Sequence, residues 1–244
     1  MHLLLTDRLT CPRCGPTFGL ILLADRMDER RVVAGSLGCP NCRDRFRVAD
    51  GFADLRAPPR GELGDGLVGP GPGGVAEARA LPGGGATAQA SALSGGGVTA
   101  ETSRPPGGGV TAAAERLAAL LGVPRGPGTL ALVGEPARHG PAIAASIEDV
   151  QVVGIDPDLR SWPDRPGFSR LVSAPGIPFF SGVLRGVAVD ARLGPAWVEE
   201  AARVAASMAR VVVVQAGEEM APMLQALGLT VLAVEAGTVV AARS

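Results

Sequence analysis

Two Cys-Pro-x-Cys pairs constrain the N-terminal part of this chain more than any other feature. They are Cys11-Pro-Arg-Cys14 and Cys39-Pro-Asn-Cys42, and the sequence contains no other cysteine. Each pair places two thiolates at one tight turn, and two such turns supply the four sulfur ligands of a tetrahedral metal ion. The matched spacing therefore predicts a metal centre at Cys11, Cys14, Cys39 and Cys42.

The metal we predict is zinc in a structural role, because four thiolates leave no open position for water. Iron is an alternative, since rubredoxins also use Cys-Pro-x-Cys pairs, but the aromatic core of that type is missing here. Free or redox-active thiols are another, since a single Cys-x-x-Cys can be thioredoxin-like. Two matched pairs favour a metal over thiols or disulfides. So small a domain would need its metal to fold.

Composition divides the chain into three zones. Residues 1–56 carry every cysteine and form the predicted zinc ribbon. Residues 57–110 are dominated by Gly, Pro, Ala, Ser and Thr, with glycine-rich units that start twelve residues apart at Gly71, Gly83, Gly95 and Gly107. Such units bury too little apolar area to offset their ordering entropy, which predicts a disordered linker. A specific binding segment is the alternative.

Residues 111–244 alternate between short apolar runs and helical stretches. We expect helices over 112–121, 141–147, 195–208 and 218–227, strands over 129–133, 150–155, 170–173, 187–189 and 211–214, and a final hairpin over 229–234 and 238–242. This alternation is typical of an α/β domain with a parallel sheet. The predicted fold is a zinc ribbon joined to a Rossmann-like, doubly wound sheet with a C-terminal antiparallel hairpin.

The charge of the chain excludes few classes of partner. The net charge is −1, and no region is strongly basic, so an RNA partner is compatible with the sequence but not argued by charge. The apolar runs are too short to span a bilayer, and Asp7 and Arg8 interrupt the apolar start, so no signal peptide is visible. We expect a cytoplasmic protein without a membrane span.

The first zone resembles a known family over residues 3–56. The resemblance is carried by Leu3-Leu-Leu-Thr-Asp-Arg-Leu-Thr-Cys-Pro-Arg-Cys14, by Cys39-Pro-Asn-Cys42, and by Phe46-Arg-Val-Ala-Asp-Gly-Phe-Ala-Asp-Leu55. These segments look like the zinc-ribbon activator subunit of tRNA, ribosomal RNA and release-factor methyltransferases. The resemblance implies a zinc ribbon that binds a protein partner, either a methyltransferase or a larger assembly.

Residues 111–244 resemble class I S-adenosylmethionine-dependent methyltransferases. The resemblance rests on Asp156 after the second strand, the segment Ala174–Phe179, the helix around Trp197–Val204 and the terminal hairpin. It implies cofactor-binding positions at Gly134, Glu135, Gly140 and Asp156. An acid at Asp156 would accept hydrogen bonds from the ribose hydroxyls; a strand-end or helix-cap acid is the alternative.

The first loop departs from that family. It reads Gly134-Glu-Pro-Ala-Arg-His-Gly140, in which Pro136 lacks an amide donor and Arg138 and His139 add bulk. No Asn/Asp-Pro-Pro-Tyr motif follows the fourth strand, so no catalytic residue is assigned. These departures favour a non-catalytic protein that binds a protein or ribonucleoprotein partner. The alternative is an active methyltransferase with an unusual loop for S-adenosylmethionine; a different nucleotide ligand is a third possibility.

Overall fold

The computed structural model describes residues 1–63 and 111–244. Most of the predicted linker, with its repeats, lies outside these residues. The first range contains a 3-10 helix over Leu3–Arg8 and strands β1 (Thr10–Cys11), β2 (Gly15–Gly19), β3 (Ile21–Asp28), β4 (Arg31–Gly38), β5 (Arg45–Ala49) and β6 (Phe52–Arg56). The second contains α1 (Ala112–Leu121), β7 (Gly128–Val133), α2 (Gly140–Ser146), β8 (Val150–Ile155), β9 (Phe168–Ala174), β10 (Leu184–Asp190), α3 (Pro195–Val204), β11 (Ala205–Val214), α4 (Met220–Ala226), β12 (Leu229–Glu235) and β13 (Thr238–Arg243), with 3-10 turns over Glu135–His139, Pro157–Ser161 and Ala191–Leu193.

One sheet of eleven strands joins both ranges, in the order β12-β13-β11-β10-β7-β8-β9-β6-β5-β4-β3. The six strands from β11 to β6 are parallel, the hairpin β12–β13 is antiparallel at one side, and β5, β4 and β3 are antiparallel at the other. The expected α/β class, with a Rossmann-like parallel sheet and a C-terminal antiparallel hairpin, is confirmed.

Helices cover both faces of the parallel part of the sheet. On β7, Leu130 and Leu132 belong to the apolar cluster that contains α1 and α2, whereas Ala131 and Val133 belong to the cluster that contains α3 and α4. Strands buried on both faces read as continuous apolar runs rather than as an alternation. This explains the uninterrupted valines of β11 and makes the fold doubly wound. No helix within the described ranges is long and apolar enough to cross a membrane.

The helix expected over 195–208 was predicted too long. It ends at Val204, and β11 begins at Ala205. Residues between Ala205 and Arg210 form a bulge, in which Met208 is 81% exposed and has φ 64°. Apolar residues at helical spacing also occur in a strand that bulges, so periodicity alone could not place this boundary.

The pairing of β6 with β9 joins the strands of residues 1–63 to those of residues 111–244. The register runs in parallel from Phe52 opposite Arg170 to Arg56 opposite Ala174. Residues 1–56 and 111–244 therefore share one hydrogen-bonded sheet. The three-zone division of the chain remains a prediction.

A buried arginine strengthens this junction. The Arg170 side chain is 3% exposed, and its Nη1 donates to the carbonyl oxygen of Leu159 at 3.0 Å while Nη2 donates to that of Asp50 at 2.5 Å. Next to it, Arg31 of β4 forms an ion pair with Asp164. Backbone acceptors from both parts of the chain thus depend on one guanidinium.

Replacement of Arg170 tests whether the two parts unfold together. Arg170→Met should lower the free energy of unfolding by roughly 2–4 kcal/mol, because it leaves the buried Leu159 carbonyl and the partly buried Asp50 carbonyl without their donor. Hydrogen exchange in urea should show β5, β6 and β8 losing protection together. Arg116→Met is the matched control, since Arg116 is exposed and pairs with exposed Glu235 at 3.3 Å; it should change stability by less than about 0.5 kcal/mol. Loss of protection in β5 and β6 alone would contradict the shared unit.

Candidate functional site

The four cysteines meet in one cluster. Their sulfur atoms all lie within 4.8 Å of one another. Cys11 Sγ is 3.7 Å from Cys42 Sγ, and Cys39 Sγ is 3.8 Å from Cys14 Sγ. These distances are far longer than a disulfide bond, and all four thiols are free. Zn–S bonds of about 2.3 Å in a tetrahedron place the sulfur atoms about 3.8 Å apart, so the donor set fits zinc.

Two turns bring the pairs together. Cys11 ends β1, and β1 pairs with β2 in a short antiparallel hairpin whose turn carries Cys14. Cys39 follows β4, where its amide donates to the Asp44 carbonyl oxygen at 2.9 Å and its own carbonyl accepts from the Arg43 amide at 3.0 Å. Both turns therefore have a fixed backbone, which presents the thiols in a preformed arrangement.

The turn amides favour a thiolate at Cys39. Burial opposes ionisation, but the backbone amides of Cys42 and Asn41 and the neighbouring thiols outweigh it and lower the pKa of Cys39 to about 7. Burial raises the pKa of Cys11 and of Cys42. The Asn41 side chain also donates to Cys14 Sγ at 3.3 Å. A bound divalent cation would favour the deprotonated form of all four sulfur ligands.

The first cysteine turn also contacts the segment that follows β9. The Thr10 amide, next to Cys11, donates to the Pro178 carbonyl oxygen at 2.9 Å. The neighbouring Phe179 carbonyl oxygen accepts from Arg203 of α3 at 2.8 Å. The candidate metal centre is thus connected to α3 through residues 177–180, a contact that no local sequence pattern indicates.

The predicted cofactor positions lie at the carboxyl ends of the parallel strands. Gly134 follows β7 and Asp156 follows β8, and the Gly134 amide donates to the Ile155 carbonyl oxygen at 3.0 Å. Glu135 begins the 3-10 turn after Gly134, whereas Gly140 begins α2 beyond it. The structure therefore brings Gly134, Glu135 and Asp156 to one edge of the sheet.

The turn Glu135–His139 packs against this edge. It contacts β7, β8 and β10, and Pro136 and Ala137 are buried. The Ala137 amide is used in a hydrogen bond to the Gly134 carbonyl oxygen at 2.9 Å. Pro136 has no amide to offer. Positions 136 and 137 of this turn thus offer no amide to a ligand, whereas a glycine-rich loop would present backbone donors there.

The two glycines of this loop have local packing roles. Gly134 has φ 71°, a conformation that favours glycine, and an added Cβ would lie 3.1 Å from Asp190 Cβ. An added Cβ on Gly140 would lie 2.1 Å from the Phe168 ring. Close packing of α2 on Phe168 of β9 therefore requires glycine at position 140 whether or not a cofactor binds.

Asp156 has the geometry of a cap. Its carboxylate accepts from the Asp158 amide at 2.9 Å, at the start of the 3-10 turn Pro157–Ser161. Burial raises the pKa of Asp156. The capping alternative is therefore present in the structure, while its role toward ribose hydroxyls stays a prediction.

The neighbouring acids lie close to basic side chains. Asp190 is fully buried, and its Oδ2 lies 2.5 Å from Arg192 Nη2, with a second hydrogen bond from the Arg192 amide at 3.0 Å. Glu135 Oε1 lies 3.7 Å from His139 Nε2, and the neighbouring imidazole lowers the pKa of the Glu135 carboxyl.

No family model matches the chain, and no curated protein matches it. Among solved structures, it is similar to a chain of the complex between the Haloferax volcanii Trm112 methyltransferase activator and a methyltransferase, at 15% identity and a TM-score of 0.41 over 49% of this chain and 69% of that one. It is also similar to the antibiotic-resistance methyltransferase Kmr, at 17% identity and a TM-score of 0.41 over 55% and 95% of the respective chains. The magnesium protoporphyrin IX methyltransferase of Synechocystis PCC 6803, solved with bound SAM, gives 13% identity and a TM-score of 0.39 over 54% and 78%. These values are too low to support an inference about activity.

Metal analysis tests the cysteine cluster. Purified native protein should contain about one zinc per chain, with X-ray absorption showing four sulfur ligands at about 2.3 Å. Cys39→Ser should release the metal and lower hydrogen-exchange protection in β4 and β5. Arg13→Gln is the control, because Arg13 is 57% exposed and pairs with Asp44 rather than with a sulfur; it should retain the metal. Native protein free of zinc and iron would refute the site, and stoichiometric iron would refute the identity of the ion.

Proposed function

We propose that this protein is a structural zinc protein with a methyltransferase-like domain that does not transfer methyl groups. It acts in the cytoplasm by binding a protein or ribonucleoprotein partner through the zinc ribbon. The observation that carries the proposal is the turn Glu135–His139, which buries Pro136 and Ala137 at the edge where a cofactor would lie. A reducing compartment suits the protein, since the four thiols must stay reduced to hold a metal.

Loss of backbone donors argues against cofactor binding. A site of this class would hold its ligand at micromolar strength through amides of the first loop, about 8 kcal/mol in all. Pro136 cannot donate, and the amides of Gly134 and Ala137 already have protein acceptors. Losing two or three hydrogen bonds at about 1 kcal/mol each weakens binding by roughly 100-fold, before any steric conflict with the buried side chains.

The acids at this edge support a non-catalytic role. A general base must be able to reach the proton that it removes. The Asp190 carboxylate is instead fully buried and held by Arg192. Asp156 caps the following turn.

An active S-adenosylmethionine-dependent methyltransferase is the second candidate, and the position of Asp156 favours it. The residue follows β8, which pairs directly with β7, so its carboxyl group lies at the crevice next to the first strand. An acid at this point of a dinucleotide-type fold accepts hydrogen bonds from ribose. Binding of the cofactor despite the buried turn would establish this alternative.

The partner surface that we propose is the outer strand of the ribbon. The other side of the ribbon, at β6, is paired with the chain's own β9. Strand β3 ends the sheet and exposes Ile21 by 57%, Leu23 by 48% and Met27 by 42%. An edge strand with exposed apolar side chains can bind an extended segment of another protein through backbone hydrogen bonds.

Calorimetry separates the two candidates. We expect no measurable binding of S-adenosylmethionine at micromolar concentration, because the loop lacks donors and space. The variant Asp156→Ala should lose only about 1 kcal/mol of stability with the cap of the following turn and should retain the partner binding of the wild type. Micromolar affinity that Asp156→Ala weakens, or a crystal structure with the cofactor between Gly134 and Asp156, would refute the non-catalytic proposal.

Purification of native complexes tests the partner surface. The wild type and Asp156→Ala should recover the same partner. The double variant Ile21→Lys, Leu23→Lys should lose it, because binding at β3 would then remove two lysine charges from water. Leu232→Lys is the matched control, since Leu232 is 52% exposed on β12 at the opposite end of the sheet. Equal loss with Leu232→Lys, or none with the double variant, would contradict docking at β3.

A further inference from the structure

A cavity of about 260 Å³ lies at the opposite end of the parallel strands from the predicted cofactor edge. One wall is the end of α1 and the residues after it, Leu121–Val123. A second wall is the bulged part of β11, residues 207–210, and Arg185 of β10 completes the lining. The cavity therefore belongs to the amino ends of β10 and β11 and is separate from the metal centre.

The bulge in β11 forms the second wall. Leu184 of β10 pairs with Ala205, but the next pair joins Gly186 to Arg210, so β11 holds extra residues between the two pairs. Within the bulge Met208 is 81% exposed, while Ala209 is buried. Ser207 and Arg210 lie in this bulge and line the cavity.

The Arg185 side chain packs directly on a glycine. Its side chain crosses Gly128, where an added Cβ would lie 2.3 Å from Arg185 Cδ. The Nη1 atom donates to the carbonyl oxygens of Pro127 at 2.8 Å and Arg125 at 3.1 Å. These two bonds hold the guanidinium in place and use only one of its nitrogens.

The Arg210 side chain also packs directly on a glycine. Its guanidinium lies over Gly122, where an added Cβ would be 2.6 Å from Arg210 Cζ. Nη1 donates to the Leu120 carbonyl oxygen at 3.2 Å, at the end of α1. That contact offsets the partial negative charge at the carboxyl end of the helix, again through a single nitrogen.

Both guanidinium groups keep a free binding edge. Within residues 1–63 and 111–244, neither Arg185 nor Arg210 forms an ion pair with a carboxylate, and no acceptor contacts Nε or Nη2 of either. The Nε and Nη2 edge of arginine is the pair of donors that binds a phosphate or carboxylate in a bidentate manner. Two positive charges thus line one small cavity without a compensating anion from the described chain.

We propose that this cavity binds the phosphate group of a small molecule, with Arg185 and Arg210 as its two cationic ligands and the Ser207 hydroxyl as a further donor. Phosphate suits two arginines better than a carboxylate does, because it carries more charge and presents more acceptor oxygens. The volume is that of a small ligand site rather than of a groove that follows a nucleic-acid backbone. The net charge of −1 gives no support for a nucleic acid either.

Titration of the full-length protein with inorganic phosphate and with pyrophosphate, followed by ¹H–¹⁵N NMR, tests the site. We expect saturable amide shifts confined to residues 121–123 and 207–210 and their neighbours, with pyrophosphate the tighter ligand. Arg185→Gln should weaken binding by about tenfold or more, since it removes a charge-assisted pair. Arg116→Gln is the control, because Arg116 is an exposed arginine paired with Glu235 outside the cavity.

A second variant keeps the test decisive if Arg185→Gln prevents folding. Gly128→Ala retains both charges but displaces the Arg185 side chain, so it should weaken phosphate binding while leaving the net charge unchanged. A short single-stranded oligonucleotide at the same phosphate concentration forms the third arm and should bind no more tightly than inorganic phosphate. The proposal is overturned by the absence of saturable shifts with both phosphate probes, by equal weakening in Arg116→Gln, or by binding of the oligonucleotide alone.

Discussion

Parallel pairing of β6 with β9 is the interaction on which the arrangement of this protein depends. Without it, β9 would be the last strand of the parallel sheet and would present unpaired backbone groups to solvent. With it, the sheet continues through β6 into the antiparallel strands β5, β4 and β3. The same junction brings acceptors from both parts of the chain to the buried Arg170 guanidinium. The position of the cysteine cluster relative to α3 follows from this pairing.

The two ends of the parallel strands are built differently. At the carboxyl ends, the turn after β7 folds back on the sheet, and the buried acid Asp190 is held by Arg192. At the amino ends, β11 bulges, and Arg185 and Arg210 are among the residues that line a cavity. The predicted cofactor positions thus lie at the carboxyl ends of the parallel strands, whereas the cavity that we propose for phosphate lies at their amino ends.

Several features of the site and the fold can be predicted from the sequence because neighbouring residues determine them. The Cys-Pro-x-Cys spacing predicts the cluster at Cys11, Cys14, Cys39 and Cys42, and the valine run predicts a strand buried on both faces. Thr111, whose side chain caps the Ala114 amide at 3.2 Å, and left-handed Gly122 mark the two ends of α1.

Features that depend on distant contacts were not predictable in this way. Nothing in Phe52–Arg56 identifies β9 as its partner, because the contact joins segments far apart in the chain. The clash that makes Gly140 a packing residue depends on Phe168 in another strand. The end of α3 at Val204 likewise depends on how β11 pairs, which local periodicity does not record.

The separation of the paired strands in the chain also has a consequence for synthesis on the ribosome. Arg170 donates a hydrogen bond to the Asp50 carbonyl oxygen in the folded protein, and the two residues are 120 positions apart in the chain. At about 5–20 residues per second, β6 is synthesised roughly 6–24 seconds before β9. During that interval β6 has an open edge, and a metal held by the four thiols would be the main constraint on the nascent ribbon. Metal supply during translation would then govern how much of the chain reaches its final sheet.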